Sequence, residues 1–382
     1  MRIGINVARL EGQRMGVGRH LEYRLKYWSG MLDADEEVHA YLRKPFPPET
    51  LSHLNIGPAI KFHIVRPTLT AAPWENSSMA MAARKTDVLF GPSYNAAAVV
   101  PCSETACRGD AQRQRSTGWR AYLMVRLDVR QLVSNERMSA DAVIVPGPST
   151  ADLVASRYGV PMSKMMVIPQ GADTSFRPLD DPELDHSTRI RFLGEDVPYV
   201  LFVGSLSVRR NIPNLIAGFA RARKEKQLPH KLLLLGRNHV NLDLTRIIEE
   251  NGVSDAVVQT DGKFAPHQEL ISIYNAAEVF IQPSWFEGWS MTTIEPLACG
   301  TATIIADRGG LRDTANGHAY LIKEPTADAV SDALCKVLLD EKLRQELRRI
   351  GRRRGSAITW EDTTRQTWEV LRNVARDRAP GP

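Results

Sequence analysis

The chain has 382 residues, of which 43% are hydrophobic and 24% are charged, and its formal net charge is +5. This length exceeds the size at which one hydrophobic core keeps growing, so we expect two domains rather than a single small module. The composition is that of an ordinary globular protein and excludes an intrinsically disordered chain.

No apolar run approaches the roughly 20 residues that a membrane-spanning helix needs. The opening MRIGINVARLEGQ has no apolar stretch of signal-peptide length, so we expect a cytoplasmic protein. Four cysteines are scattered along the chain, and nothing near Cys102 and Cys107 supplies His or Cys at metal-ligand spacing. Reduced thiols and no bound metal are therefore expected.

Short β-branched runs alternate with amphipathic segments, which is typical of parallel sheets built from β–α–β units. The sequence therefore predicts an α/β protein, with a helix at 18–28. In the first half, strands are predicted at 3–7, 38–43, 61–65, 87–90, 142–145 and 166–168. In the second half, strands are predicted at 199–203, 232–235, 256–259, 279–282 and 302–305, each followed by a helical pattern.

The segment RPLDDPELDHST, residues 177–188, is rich in Pro and Asp and lacks periodicity, which favours a linker. We therefore predict a first domain at 1–180 and a second at 190–358. The tail, 359–382, is predicted to form a helix that packs back on the first domain.

One stretch breaks the alternating pattern. Residues 102–118, CSETACRGDAQRQRSTG, contain no aliphatic residue larger than alanine where another buried strand is due. Two interpretations are open: a divergent, exposed loop or lid, or the trace of a shifted reading frame.

The loop GSLSVRRN, residues 204–211, follows a predicted strand and precedes a helical pattern. Asn211 is a favourable N-cap residue, and Pro213 is tolerated in the first turn of a helix. The free N–H groups of such a junction attract an anion, and Arg209 and Arg210 add two charges. The alternative is that both arginines are simply solvated.

A second junction is EGWSMTTIE, which begins at Glu287 and ends at Glu295. Thr292 and Glu295 have the spacing of a capping box, and Gly300 is placed to end the helix. The loop 288–292 would also present N–H groups at the carboxyl end of a parallel strand, where open α/β sheets bind ligands. Glu287 has no capping role, so its carboxylate is a candidate for binding sugar hydroxyls or stabilising charge.

The clearest basic run contains Arg348, Arg349, Arg352, Arg353 and Arg354. A solvated helix face is one interpretation, and contact with an anionic membrane surface is the other. Nucleic acid is not an expected partner, because no aromatic residues interleave the run.

Taken together, these motifs resemble a known family. The pairing of 203–216 with 283–313 is similar to the donor-binding half of family 4 glycosyltransferases. The run 140–178 is similar to the stretch that closes their first domain, and MGVGRHLEYRL, residues 15–25, resembles their first glycine loop and helix. The resemblance implies the GT-B fold, in which two Rossmann-like, doubly wound domains face each other across a cleft.

The resemblance also implies an activity: a retaining, metal-independent transferase that moves a hexose from a nucleotide diphosphate to an acceptor hydroxyl, with no cofactor. Glu295 would bind the ribose and Glu287 the donor sugar, while Arg210 would neutralise the leaving diphosphate. Glu287 and Arg210 are thus the predicted catalytic residues. The other predicted donor-binding residues are Gly16, Gly18, Arg209, Gly288, Ser290, Met291 and Thr292.

The chain departs from the family pattern at several positions. Glycine and proline usually occupy the places of Ser290 and Thr292, and lysine usually occupies that of Arg210. The family also carries a histidine after a segment like 87–95, whereas this chain has none between His63 and His186. His20 is either a substitute for that histidine or an ordinary helix-face residue.

Two other functions are alternatives to a glycosyltransferase. A nicotinamide-dependent oxidoreductase is disfavoured, because Gly16 and Gly18 lack a third glycine and no acidic residue follows 38–43 at the required place. A catalytically inactive partner subunit that binds a sugar nucleotide is an open alternative.

The expected donor is a UDP-hexose. A polysaccharide or lipid-linked oligosaccharide is the first expectation for the acceptor, and a natural product is the second.

Overall fold

The structure is a computed structural model that describes residues 1–11, 17–45, 56–66, 74, 78–91, 141–238, 240–260 and 267–378. Its strands are β1 (Arg2–Asn6), β2 (Glu37–Leu42), β3 (Ile60–Ile64), β4 (Val88–Phe90), β5 (Val143–Val145), β6 (Met165–Val167), β7 (Tyr199–Val203), β8 (Lys231–Leu235), β9 (Val257–Gln259), β10 (Val279–Gln282), β11 (Ala302–Ala306) and β12 (Tyr320–Ile322).

The helices are α1 (Val17–Trp28), α2 (Pro148–Tyr158), α3 (Pro182–Leu193), α4 (Ile212–Lys226), α5 (Leu244–Glu250), α6 (His267–Ala276), α7 (Met291–Cys299), α8 (Gly309–Ala315), α9 (Ala327–Leu339), α10 (Glu341–Ser356) and α11 (Trp360–Arg378), with a further helical turn at Ala80–Ala82. Every strand predicted from the sequence is present, with ends within one residue. The short strand β12 was not predicted, because three residues are too few to establish an alternating pattern.

The chain divides into two compact units. Unit 1 contains Met1–Pro146, Ala151–Pro169 and Trp360–Pro382, and unit 2 contains Gly147–Thr150 and Gln170–Thr359. The predicted linker at 177–188 is wrong in its second part, which lies in helix α3. The side chain of Asp181 accepts a hydrogen bond from the N–H of Leu184, and Pro182 occupies the first turn. The Asp-Pro pair is thus a helix start rather than a linker signal.

Unit 1 is built on a parallel sheet in the order β3-β2-β1-β4, and a separate parallel pair joins β5 to β6. Ile3 and Ile5 of β1 are fully buried in its core. Helix α11 packs against α1, where the ring centroids of Trp28 and Trp368 lie 5.1 Å apart. The indole of Trp28 also donates to the carbonyl oxygen of Thr364 at 3.2 Å. The C-terminal helix therefore supplies part of the core of unit 1.

Unit 2 is built on a six-stranded parallel sheet in the order β12-β11-β10-β7-β8-β9. This is the doubly wound Rossmann order, in which the chain turns back between β7 and β10. Every residue of both strands is buried, because helices cover the two faces of the sheet. The carboxyl ends of β7 and β10 are therefore the place where a ligand of this unit is expected.

The interpretation of the basic run of α10 as a solvated face holds for only three of its five arginines, Arg349, Arg352 and Arg353. Arg354 is turned inward and donates to the carbonyl oxygens of Asp313 and Thr314, each at 2.9 Å. Arg349 pairs with Glu346, and Arg348 lines a surface cavity of about 510 Å³. Arg352 and Arg353 are exposed, as is Arg349.

Several sequence expectations fall on residues outside the described ranges: the stretch 102–118, Gly16, Cys102 and Cys107. Cys299 and Cys335 are free, and burial raises the pKa of the Cys299 thiol well above its usual range. Within the described ranges, no helix combines the length and the hydrophobicity needed to cross a membrane.

Candidate functional site in unit 2

Two loops meet where the strand order of unit 2 reverses. The first, residues 204–211, leaves the carboxyl end of β7, and the second, residues 283–290, leaves that of β10. The backbone N–H of Trp285 donates to the carbonyl oxygen of Arg209 at 3.0 Å, which joins the loops directly. The two junctions singled out in the sequence are therefore one structure.

Glycine is required at the base of the first loop. A Cβ atom on Gly236, after β8, would lie 1.8 Å from the carbonyl oxygen of Gly204, so the two backbones touch. Gly204 itself has φ +143°, a conformation that favours glycine. A Cβ at Gly204 would lie 3.2 Å from Nη1 of Arg210. The loop thus leaves room for the Arg210 guanidinium to fold back over it.

Asn211 stands at the predicted N-cap of α4, but its side chain does not cap the helix. It adopts a left-handed conformation with φ +61°, and Pro213 follows in the first turn. Its buried Nδ2 donates to the carbonyl oxygens of Pro283, at 3.1 Å, and Pro325, at 2.6 Å. Asn211 therefore fastens the first loop to the second.

Arg209, Arg210 and Glu287 form a three-residue ionic cluster. Nη1 of each arginine lies 3.0 Å from Oε1 of Glu287, and Nη1 of Arg209 also donates to the carbonyl oxygen of Phe286 at 2.6 Å. The side chains of Glu287 and Arg210 are only 8% and 16% exposed, whereas that of Arg209 is 44% exposed. The interpretation that both arginines are simply solvated is therefore wrong for Arg210.

The backbone that carries Glu287 is held from three sides. The N–H of Gly310 donates to the carbonyl oxygen of Glu287 at 3.0 Å, and the hydroxyl of Thr150 donates to that of Gly288 at 2.7 Å. The indole of Trp289 donates to the carbonyl oxygen of Gln170 at 2.9 Å. A Cβ on Gly310 would meet the carbonyl of Gly288 at 2.3 Å, so this contact also depends on glycine.

Helix α7 begins earlier than the predicted capping box requires. Its N-cap is Ser290, which makes no side-chain cap, and Gly300 ends the helix with φ +75° as predicted. Glu295 therefore lies beyond the first turn, and the capping-box interpretation is wrong. Its carboxylate is 1% exposed and accepts a hydrogen bond from the hydroxyl of Tyr274 at 3.0 Å.

The start of α7 carries three hydroxyl groups that converge on one buried amide. Oε1 of Gln282 lies 2.9 Å from the hydroxyl oxygen of Ser290, 3.2 Å from that of Thr292 and 2.8 Å from that of Thr293. The first N–H groups of a helix, here those of Met291 and Thr292, have no partner within the helix. They are the donors that an anion at this end of the sheet would meet.

Sequence reasoning missed Gln282, Tyr274 and Thr150. Gln282 is the polar end of the otherwise apolar strand VFIQ. This polar residue at the end of a buried strand could have indicated a role in the site. Nothing in the sequence marked Thr150 or Tyr274, because Thr150 reaches Gly288, and Tyr274 reaches Glu295, from a distant segment.

Gly18 and His20 belong to unit 1. Gly18 lies in unit 1, in the first turn of α1. His20 is also in unit 1, where its Nε2 accepts from Nε of Arg24 and its ring packs edge-on to Trp360 at 5.0 Å. Burial, and then the charge of Arg24, hold the pKa of His20 well below its usual range. These contacts describe a structural histidine.

A metal was not expected, and the described ranges contain no group of three His, Cys, Asp or Glu side chains that could hold one.

The fold of the two parallel α/β units is GT-B, as predicted. Sucrose-phosphate synthase from Thermosynechococcus elongatus is similar with a TM-score of 0.73 and 21% identity, over 98% of this chain and 99% of that one. HepE from Anabaena, solved in complex with UDP-glucose, has a TM-score of 0.73 and 14% identity, over 98% of this chain and 100% of that one. At these identities the likeness shows the fold alone.

The sequence of unit 2 matches a family model. Residues 186–354 match the model of glycosyl transferases group 1. O-antigen chain mannosyltransferase B from Escherichia coli is 26% identical over 170 residues, which are 44% of this chain and 44% of that protein. The match spans about half the length of the first curated relatives. The family resemblance inferred from the sequence is confirmed.

Proposed function

We propose that the protein is a glycosyltransferase that moves a hexose from a UDP-sugar to an acceptor hydroxyl, with retention at the anomeric carbon and without a metal. The observation that carries this proposal is the cluster of Arg209, Arg210 and Glu287 at the switch point of unit 2. Two positive charges face one negative charge there, so the cluster keeps a net positive charge for a diphosphate.

The leaving group sets the chemical requirement. When the bond between the anomeric carbon and the phosphate oxygen breaks, negative charge develops on the diphosphate, and oriented donors stabilise it. Arg210 is suited to this role because its guanidinium is mostly buried, where electrostatic interactions are stronger than in water. The N–H groups at the start of α7 would supply additional donors.

Glu287 would bind the donor sugar through its second oxygen. The two guanidinium groups contact its Oε1, whereas no described residue donates a hydrogen bond to its Oε2. A carboxylate oxygen accepts hydrogen bonds well from sugar hydroxyls. Glu295 would bind the ribose, while the hydroxyl of Tyr274 holds one of its oxygens.

The choice of UDP is supported by the UDP-glucose complex of HepE, which has the same fold. A glycan or lipid-linked acceptor is supported by the printed activity of the Escherichia coli O-antigen relative. If the acceptor lies on a membrane, Arg352 and Arg353 are the exposed residues of α10 that would meet anionic lipid.

Slow donor hydrolysis in the absence of an acceptor tests the proposal. The purified chain would be incubated with EDTA and, in turn, UDP-glucose, UDP-galactose, UDP-N-acetylglucosamine and GDP-mannose, and nucleotide release would be measured. We expect release from one UDP-sugar, loss of that release in Arg210→Ala, and an unchanged rate in the exposed control Arg352→Ala.

Proton NMR identifies which anomer of the sugar is released first, and this observation tests retention. An inverted anomer would overturn the retaining mechanism, and a rate that requires Mg²⁺ would overturn metal independence. Binding of UDP-sugar without any release would favour the inactive partner subunit.

A further inference from the structure

Gln282 is a fully buried amide whose two ends face different parts of the site. Its Oε1 faces the hydroxyls of Ser290, Thr292 and Thr293 at the start of α7. Its Nε2 lies 3.5 Å from Oε1 of Glu287. One side chain therefore lies between the predicted phosphate-binding helix end and the predicted sugar-binding carboxylate.

The chemistry of the neighbours fixes the orientation of this amide. An ionised carboxylate only accepts hydrogen bonds, so the NH₂ end of Gln282 must face Glu287. Rotation of the amide by half a turn would place its oxygen against the carboxylate. It would also remove the acceptor that the hydroxyls share, and an unmet buried hydrogen bond costs about 1–3 kcal/mol.

The same contact orients Glu287. Three nitrogen atoms lie near its Oε1: Nη1 of Arg209 and Nη1 of Arg210, each at 3.0 Å, and Nε2 of Gln282 at 3.5 Å. Contacts on one carboxylate oxygen limit the directions that the other oxygen can take. At 3.5 Å the amide adds little hydrogen-bond energy, so its effect on the carboxylate comes from its position beside it.

We propose that Gln282 is a positioning residue that sets the carboxylate of Glu287 relative to the N-terminus of α7, so that donor sugar and diphosphate are held in one geometry. The inference rests on the proposed function. It also accounts for the hydroxyls of Ser290 and Thr292, which stand where the family usually has glycine and proline. In this chain those hydroxyls have a buried acceptor.

The test is the nearly isosteric variant Gln282→Glu. Its side chain keeps an acceptor for the hydroxyls but presents an oxygen to Glu287, so two carboxylates would compete for one proton. We expect the added negative charge to weaken UDP binding, and turnover of the donor to fall by a larger factor, about tenfold or more. Acidification should recover part of the turnover, as one carboxyl of the pair becomes protonated.

Thr303→Val is the matched control, because Thr303 is fully buried in the same sheet and its hydroxyl donates to the carbonyl oxygen of Thr301, outside the cluster of the site. It should lower thermal stability without changing turnover or its pH profile. Equal turnover in wild type and Gln282→Glu would overturn the positioning role. So would a pH-independent loss that is matched by an equal loss of UDP affinity, which is the signature of local unfolding.

These experiments distinguish failure of the proposed function from failure of the inference about Gln282. If the wild type binds no nucleotide and releases none from any donor, that function is wrong and the inference falls with it. If the wild type turns over a donor and only the effect of Gln282→Glu is missing, the inference alone is wrong.

Discussion

Nη1 of Arg210 lies 3.0 Å from Oε1 of Glu287, although the two residues belong to loops that follow different strands. The two predicted catalytic residues therefore neutralise each other before any donor binds. A diphosphate that enters this site must share the guanidinium with the carboxylate. Substitution of either residue will consequently change the charge that the other presents.

Arg210→Ala should lower kcat by about 10²–10³-fold, the usual loss for one donor that stabilises developing charge. The Michaelis constant of the donor should change much less, because the stabilisation is needed mainly as the leaving group departs. Arg209→Ala should cost less, since that side chain is 44% exposed. Steady-state kinetics on both variants check this, and a change in the Michaelis constant alone would contradict the leaving-group role.

Glu295→Gln should weaken UDP binding about tenfold, which corresponds to about 1.4 kcal/mol. Its stability loss should be modest, because glutamine still offers an oxygen to the hydroxyl of Tyr274. Tyr274→Phe serves as the comparison: it removes that hydrogen bond and should cost about 1 kcal/mol of stability. Calorimetric titration and urea unfolding of both variants separate the two effects. Unchanged UDP affinity in Glu295→Gln would remove Glu295 from the donor site.

Gly236→Ala should destabilise unit 2 by at least about 1–3 kcal/mol, the usual cost of overpacking. The added methyl group would collide with the backbone of Gly204, which cannot move without displacing the first loop. UDP binding should be lost as well. In Gly30→Ala, the nearest atom to the new Cβ is 3.9 Å away, so this control should change neither property. A Gly236→Ala protein of normal stability would contradict the packing of the two loops.

Acid should weaken unit 1 through Glu36. Burial alone would raise the pKa of this carboxyl, but hydrogen bonds from Arg372 and the Asp33 backbone outweigh it and lower the pKa. A lowered pKa contributes stability above the unfolded value of about 4.3, and this stability is lost as pH falls through the folded pKa.

Arg372→Met should therefore flatten the decline in the free energy of unfolding between about pH 5 and pH 3. The exposed Arg376→Met on the same helix is the control and should keep the slope of the wild type. Parallel curves for Arg372→Met and the wild type would show that the ion pair does not lower the carboxyl pKa.

The strands at the centre of unit 2 were predictable because they are short apolar runs: YVLFV and VFIQ are both buried from end to end. Capping was less predictable. Thr292 has the spacing of a cap in the sequence, but its hydroxyl bonds to Gln282, a contact that only the folded sheet creates.

The ionic cluster was predictable only in part. The motifs marked Arg210 and Glu287 separately, and the resemblance implied their roles. Their contact follows from the strand order, which places β7 beside β10. Local periodicity does not encode that order.

We propose above that the two loops of unit 2 form a site for a nucleoside diphosphate. The decisive experiment is calorimetric titration of the purified chain with UDP and GDP, in EDTA, with Glu295→Gln and Arg352→Ala titrated alongside. We expect micromolar binding of UDP that weakens in Glu295→Gln and persists in Arg352→Ala. Absence of binding by either nucleotide, or equal binding by all three proteins, would contradict it.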